Sequence, residues 1–591
     1  MVVNERHSNQ SGTGLPARRG ETMMRHRTAW ALIGGLVTMT AGPGAAQGGL
    51  RFEVSVPAGV RSEPLTGRLF IGLAASADPE PRIAAYNSAR QRDGRVPFFA
   101  IDLEQLAPGR AAVVDARAIG FPYQRLKQLP AGEYWVQAIV NVYTKFARAD
   151  GHTIWAHMDQ WEGQRWAFSP GNLYSEAIRI RVDPKSPRPI RLSLTKIVSP
   201  IAEPLDNEWV KHIKIKSEIL SRWWGHPMYL GATVLLPRGY DRNPSARYPV
   251  VFHQDHFSLD APFGFTTEPP NPGPQLFAQM GREAGGKRES GYDFGRAWRT
   301  DSFPRLIAVK LNHPTPFFDD SYGVNSANNG PYGDAIHQEL IPYLERSFRM
   351  IGQPFARVMT GGSTGGWISL ALQVHYPEFY GGTWTFYPDP VDFRRYQLAN
   401  IYEDTSAFRV PNTPYGLPER PFQMNPLGQP MGNVRELSRM EQTQGTKGRS
   451  AGQIDAWNVT YGPVGTDGYP RRLWDLSTGD LDREVAHYMR DNGYDLGYYL
   501  KQNWGKVGPS LVGKLHVYTG DMDHFYLAPS VYLLEEFLES TTNPYYGGAF
   551  GYGRPMKGHG WQPWSNADLM GIMAEHIASR APAGTDLSWR R

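Results

Sequence analysis

The sequence predicts an α/β fold, a mostly parallel sheet with helices on both faces, preceded by an all-β, sandwich-like region. Three observations predict it. Residues 50–200 break into short segments of period-two alternation between turn signals, with little helical periodicity. From about residue 205 the pattern changes to strand, loop and helix in alternation. The apolar runs of that second part are short and rich in β-branched residues, as strands buried on both faces are.

In the first part, strands are expected at 51–56, 69–73, 132–140, 177–182 and 190–194. Ile178, Ile180 and Val182 alternate with Arg179 and Arg181, which gives that strand one apolar and one charged face. Strands of this kind stack as a β-sandwich. Ser199-Pro200-Ile201-Ala202-Glu203-Pro204 reads as a linker. Beyond it, 212–216 and 229–236 suggest an antiparallel pair that opens the second sheet. Strands at 248–252, 306–311, 383–386 and 515–519 follow, with a helix over 335–348. Residues 390–510, rich in Pro, Gly and Asn, carry helical patches near 434–441 and 481–492. So long an insertion between core strands builds a cap over a site or covers an edge.

A chain of 591 residues is too long for one ordinary domain. The expected division is an extension and signal peptide at 1–46, an accessory region at 47–200, and a larger domain at 205–580 with its insertion at about 390–510. The signal is read from Met24-Arg25-His26-Arg27, the apolar run at 30–37, and the small residues Gly44-Ala45-Ala46, which place cleavage before Gln47. The apolar run is too short for a comfortable membrane span, so the mature chain is expected in the periplasm or outside the cell, with no membrane span.

Composition narrows the function classes. The chain has no Cys, which excludes a disulfide scaffold, a Cys nucleophile and a thiolate metal site. A net charge of +5 spread along so long a chain gives no sign of a nucleic-acid partner.

The chemistry centres on Gly361-Gly362-Ser363-Thr364-Gly365. Gly-x-Ser-x-Gly alone is a poor motif, because with 63 Gly chance supplies on the order of half a match. A second match, Gly448-Arg449-Ser450-Ala451-Gly452, lies in polar loop sequence. The first follows the strand-like Arg357-Val358-Met359 and leads into an apolar helix at 367–374. A strand, a sharp turn and a helix are what hold a serine strained with its Oγ exposed. Ser363 is therefore the expected nucleophile.

The neighbourhood carries more. Tyr332-Gly333-Asp334-Ala335, Glu339-Leu340-Ile341-Pro342-Tyr343, Arg357 to Gly366, and His375-Tyr376-Pro377-Glu378-Phe379-Tyr380-Gly381-Gly382 follow in that order. Together they resemble the putative-esterase family of α/β-hydrolases, which includes esterase D, feruloyl esterases and enterochelin esterases. The resemblance spans roughly 205–580 and is densest at 330–390. It implies an α/β-hydrolase fold and a triad in the chain order serine, acid, histidine. The acid then lies after the strand at 515–519, in Gly520-Asp521-Met522-Asp523, with Asp523 first and Asp521 second. The histidine is His559, in Gly558-His559-Gly560-Trp561.

The expected reaction is attack of Ser363 on an ester carbonyl with His559 as general base and Asp523 orienting it. The N–H of Thr364 is the expected first oxyanion donor. The second should come from the loop after 248–252, where relatives carry His-Gly and this chain has His253-Gln254-Asp255-His256; Gln254 is the expected donor. The same loop offers His253, Asp255 and His256 as metal ligands, but ligands so crowded, without a partner elsewhere, make a poor set, and neither a metal nor a cofactor is expected. Asp319-Asp320 reads as a solvated or turn-forming pair.

These readings imply a secreted serine esterase. Its expected partner is an ester, either an acyl or feruloyl ester of a carbohydrate or a siderophore-type ester. Two alternatives remain at this stage: acyl transfer by the same triad, and a non-catalytic binding protein on a hydrolase scaffold.

Overall fold

The computed structural model describes residues 49–269, 289–410 and 419–590. The export segment expected over 1–46 lies outside the described residues.

The larger part is built on an eight-stranded sheet. Its strands are β1 (Val210–Ser217), β2 (Met228–Leu235), β3 (Val250–Gln254), β4 (Ile307–Asn312), β5 (Arg357–Gly362), β6 (Gly382–Phe386), β7 (Leu515–Gly520) and β8 (Ala549–Gly553). In space they run β1-β2-β4-β3-β5-β6-β7-β8. β2 is antiparallel to both β1 and β4, and every later pairing is parallel. The mixed sheet, antiparallel at one edge and parallel through its centre, is that of an α/β-hydrolase. All six residues of β4 and all five of β6 are buried, as strands covered on both faces are.

The registers bring four strand ends together. Gln254 sits opposite Gly361, Gly362 opposite Phe386, and Phe386 opposite Tyr518. The carboxyl ends of a parallel sheet open into a crevice where loops meet, and that is where ligands bind in such folds.

The amino-terminal part contains one nine-stranded sheet. Along the strand Leu65–Ala74, Leu69, Ile71 and Leu73 enter one apolar cluster with Phe52, Val54, Val136 and Val140, while Phe70 enters a second. That second cluster also holds Phe98, Ile139 and Trp166 together with Leu230, Phe252 and Trp367 of the larger part. The two parts thus share a core, and Gly48–Arg591 forms one compact unit. The region is not all-β. A helix, Pro81–Gln91, packs on the strand Leu65–Ala74. Its buried positions are Pro81, Arg82, Ala85, Ser88 and Ala89, none of them a large apolar side chain, so it leaves no 3.6-residue apolar signature to read.

The insertion after β6 holds a hairpin, Pro421–Met424 with Pro430–Asn433, and the helices Val434–Gln444, Gln453–Tyr461, Arg483–Asp491 and Leu496–Leu511. It is tied to the amino-terminal sheet. The buried Arg68 donates from Nε to Thr443 O at 3.0 Å and from Nη2 to Gln442 O at 2.9 Å, and pairs with Asp102 at 2.8 Å.

Candidate active site

Ser363 occupies the turn between β5 and the helix Thr364–His375, with φ 58° and ψ −124°. A non-glycine residue is held there only when its surroundings over-determine it. The Ser363 N–H donates to Phe386 O at 3.1 Å, and its carbonyl accepts from Trp367 at 3.0 Å and Asp389 at 3.2 Å. The glycines are needed for close approach. A Cβ at Gly361 would meet the carbonyl of Gly365, and one at Gly365 would meet the carbonyl of Gln254. The helix is apolar all round because it is buried all round, between the sheet and the helix Leu496–Leu511.

Asp523 lies in the turn after β7 and His559 in the loop after β8. His559 Nε2 is 3.1 Å from Ser363 Oγ, and His559 Nδ1 is 2.7 Å from Asp523 Oδ2. The serine, imidazole and carboxylate therefore form one continuous hydrogen-bonded relay. Asp523 is buried, and its Oδ1 accepts the N–H of Phe525 at 2.9 Å, so the carboxylate is fixed before it meets the imidazole. The His559 ring is bracketed by Tyr387 and Phe525, with centroids 4.7 and 4.8 Å away. Asp521, the second choice for the acid, accepts the N–H of Lys557 at 3.0 Å and so tethers the loop that carries His559.

Thr364 opens the helix, where backbone N–H groups have no intrahelical acceptor and the dipole favours negative charge. Gln254 ends β3 with its backbone against the elbow; its side-chain Nε2 is buried and has no hydrogen-bond partner among the described residues. The competing serine, Ser450, is buried and its hydroxyl donates to Glu441 at 3.4 Å.

The His253–His256 loop does not assemble as a ligand set. His253 stacks on Phe263, its Nδ1 accepts the Phe263 N–H at 3.3 Å, and burial lowers its pKa to about 4. Asp255 faces Lys310 at 3.8 Å. His256 turns instead to Asp319 and Asp320, at 3.2 and 3.1 Å. Burial opposes protonation of His256, but the charge of Asp319 and its hydrogen bonds to both carboxylates raise the pKa well above the ordinary histidine value. Of the two readings of 319–320, the solvated one is corrected, since Asp320 is buried and both carboxylates hold His256, while the turn-forming one fits Asp320 Oδ1, which accepts the Tyr322 N–H at 2.9 Å. Among the described residues, His256, Asp319 and Asp320 are the one group whose ligand-type atoms lie within 4.8 Å of one another. Their mutual hydrogen bonds account for that approach.

Sequence reasoning missed Asp389, three residues past β6. Its buried Oδ2 accepts from Tyr322 Oη at 2.8 Å, Thr364 Oγ1 at 3.0 Å, Trp457 Nε1 at 3.1 Å and Gln453 Nε2 at 3.3 Å. Burial raises its pKa in spite of the bonds from Tyr322, Trp457 and Thr364. The nearest signal was a Pro-flanked Asp just after a strand, in Pro388-Asp389-Pro390, which is too common to single out.

A cavity of about 630 Å³ adjoins the elbow, lined among others by His253, Thr360, Gly362, Tyr387 and Gly560. That volume suits a small organic ligand.

A strained serine, a histidine and a buried carboxylate thus meet at the carboxyl ends of an α/β-hydrolase sheet. Within that class, the resemblance read from the sequence holds: the family model described as Putative esterase matches residues 313–390, from the end of β4 through the elbow to Asp389. Three similar solved structures are a ferulic acid esterase, a Staphylococcus aureus fluorophosphonate-binding serine hydrolase F, and an S-formylglutathione hydrolase from Agrobacterium tumefaciens. The first is 14% identical over 63% of this chain and 99% of its own, with a TM-score of 0.34. The second is 12% identical over 62% and 98%, with 0.28, and the third 11% over 63% and 93%, with 0.29. No curated protein matches the chain. No helix among the described residues is long and apolar enough to cross a membrane.

Proposed function

We propose that the chain is an exported serine esterase that cleaves carboxylic esters through Ser363, His559 and Asp523. The observation that carries this reading is the relay itself, 3.1 Å from Ser363 Oγ to His559 Nε2 and 2.7 Å from His559 Nδ1 to Asp523 Oδ2. His559 takes the Ser363 proton as Oγ attacks the ester carbonyl. The tetrahedral oxyanion forms at the helix N-terminus beside the Thr364 N–H, with the second donor at the β3 end by Gln254. Collapse expels the alcohol, which receives the proton from His559, and leaves an acyl-serine. Water, deprotonated by the same imidazole, then releases the acid. Asp523 holds His559 in the tautomer that faces Ser363 and stabilises the imidazolium. No step calls for a cofactor. The basic, apolar and small-residue order of residues 24–46 supports export, and a carbohydrate-borne acyl or feruloyl ester, or a siderophore-type ester, suits the cavity by size.

Incubating the chain from Gln47 onward with a fluorophosphonate tests this, followed by peptide mapping. Label is expected on Ser363, and neither Ser363→Ala nor His559→Ala should label. A folded wild type that stays unlabelled would overturn the reading.

A further inference from the structure

The helix Pro81–Gln91 of the amino-terminal part ends at Arg92, whose backbone is left-handed at φ 58°. Helix ends of this conformation are the ordinary place for glycine, and an arginine there carries a backbone cost. Its side chain is placed across the seam between the amino-terminal part and the insertion. The guanidinium lies over the Phe422 ring at 4.6 Å and beside the Phe525 ring at 5.7 Å. Phe525 in turn packs its ring against His559 at 4.8 Å. Two ring contacts therefore separate a cation from the imidazole of the triad.

Among the described residues that cation forms no ion pair; the charge of Glu441 acts on it only from farther off. Its one hydrogen bond among the described residues runs from Nη1 to the neutral amide Oε1 of Gln423 at 3.2 Å. Arg92 lines a cavity of about 190 Å³ with Arg90, His256, Asp319 and Gln453. Arg90 and His256 also line the 630 Å³ cavity beside the elbow, so the two adjoin.

The carboxylates along both cavities are already engaged. Asp319 holds His256, Asp255 faces Lys310, and Asp260 accepts from Ser258 Oγ at 2.9 Å. Glu289 accepts from the Ala567 N–H at 2.9 Å, and Glu441 from the N–H groups of Ile454 and Asp455, each at 2.9 Å. A half-buried arginine lining a cavity, with rings behind it and no carboxylate in ion-pair contact, is a receptor for a planar anion.

We propose that Arg92 binds a carboxylate carried by the ester substrate, so that the amino-terminal part supplies a specificity residue to the site. This rests on the esterase reading above, and it narrows the substrate class to esters bearing an acidic group remote from the scissile carbonyl. The acidic group can belong to the acyl half or to the alcohol half.

Two matched pairs of esters separate those sources. 4-Nitrophenyl hydrogen adipate against 4-nitrophenyl hexanoate places the charge on the acyl half. 4-Carboxyphenyl hexanoate against 4-methylphenyl hexanoate places it on the alcohol half. The wild type is expected to favour the charged member of one pair in kcat/KM. Arg92→Gln should lower that preference about tenfold or more, the scale of a lost charge-assisted hydrogen bond, and Arg92→Lys should retain part of it. A purely structural role would lower both members of a pair alike. That result, or a wild type with no preference for either charged ester, overturns the proposal.

Titration of each charged ester into Ser363→Ala and into Ser363→Ala with Arg92→Gln, followed by calorimetry, reads binding without turnover. Affinity lost on removing Arg92 upholds the proposal even if the esterase reading fails, and equal affinities overturn it even if that reading stands.

Discussion

Thr364 Oγ1 donates to the carboxylate of Asp389 at 3.0 Å, while the Asp389 N–H returns a bond to Ser363 O at 3.2 Å. The residue proposed to supply the first oxyanion donor and the residue proposed as nucleophile are thus both tied to one buried carboxylate, which the insertion reaches through Gln453 and Trp457.

Asp389 acts through Thr364 and does not touch the reacting atoms, so it is a positioning residue. Asp389→Ala leaves four donors without their acceptor and frees the elbow. A fall in kcat of about 10- to 100-fold with KM little changed is expected, because misplacing a donor weakens transition-state contacts most. Asp389→Asn keeps one acceptor oxygen and should recover part of the loss. Steady-state kinetics on a 4-nitrophenyl ester reads both variants, and equal losses in kcat and 1/KM would contradict the positioning role.

The two candidate acids make a sharp contrast. Asp523 contacts the imidazole, so Asp523→Asn should lower kcat by about 10³–10⁴-fold, the scale known for the orienting carboxylate of a serine triad. Asp521 contacts only the Lys557 N–H among these groups. Asp521→Asn keeps an acceptor oxygen for it, and kcat is expected to stay within roughly threefold of wild type. A reversal of this order would assign the acid to Asp521.

Much of this arrangement was legible beforehand. Seven of the eight strands of the larger sheet were read from short apolar runs, and the elbow from a strand and an apolar helix around Ser363. What stayed hidden shares a physical cause. β8 is Ala-Phe-Gly-Tyr-Gly, and its glycines are there because Tyr518 and Trp561 occupy the space a Cβ would need, so it reads as a loop. The helix Pro81–Gln91 buries Arg82, Ser88 and small alanines instead of an apolar stripe. Asp389 and Arg92 gain their roles only from residues far away in sequence, Thr364 and Trp457 for one and Phe422 and Phe525 for the other. Local pattern carries no trace of such partners.

Glu441 gives a pH dependence. It is buried beside Asp455, and burial and that neighbouring charge raise its pKa to about 7 from an ordinary 4.5. The native state then keeps a proton that the unfolded chain releases near 4.5. Stability should fall as pH rises from about 4.5 to about 7, with the loss complete above the native value. Glu441→Gln removes this slope. Melting temperatures of both proteins across pH 4.5 to 7.5 check it, and parallel curves would show that Glu441 does not titrate in this window.

Arg68 is a buried cation of the amino-terminal part, and unlike Arg92 it has a carboxylate partner. Asp102 pairs with it at 2.8 Å, and the carbonyls of Gln442 and Thr443 accept from it at the end of the insertion's first helix. A helix C-terminus carries partial negative charge and unpaired carbonyls, so a guanidinium there satisfies both. Arg68→Met keeps much of the volume and leaves Asp102 its contacts with Arg449 and Thr446, but strands two carbonyls. A buried carbonyl left without a donor costs about 1–3 kcal/mol. Because the bonds cross from the amino-terminal sheet to the insertion that holds Asp389 through Gln453 and Trp457, the loss should reach the active site. The melting temperature and the rate of fluorophosphonate labelling at Ser363 are both expected to fall in Arg68→Met. Asp102→Asn, which leaves the two carbonyl bonds in place, should lower the melting temperature less and leave labelling near wild type. A destabilised Arg68→Met that labels at the wild-type rate would show that the seam supports the fold without setting the elbow.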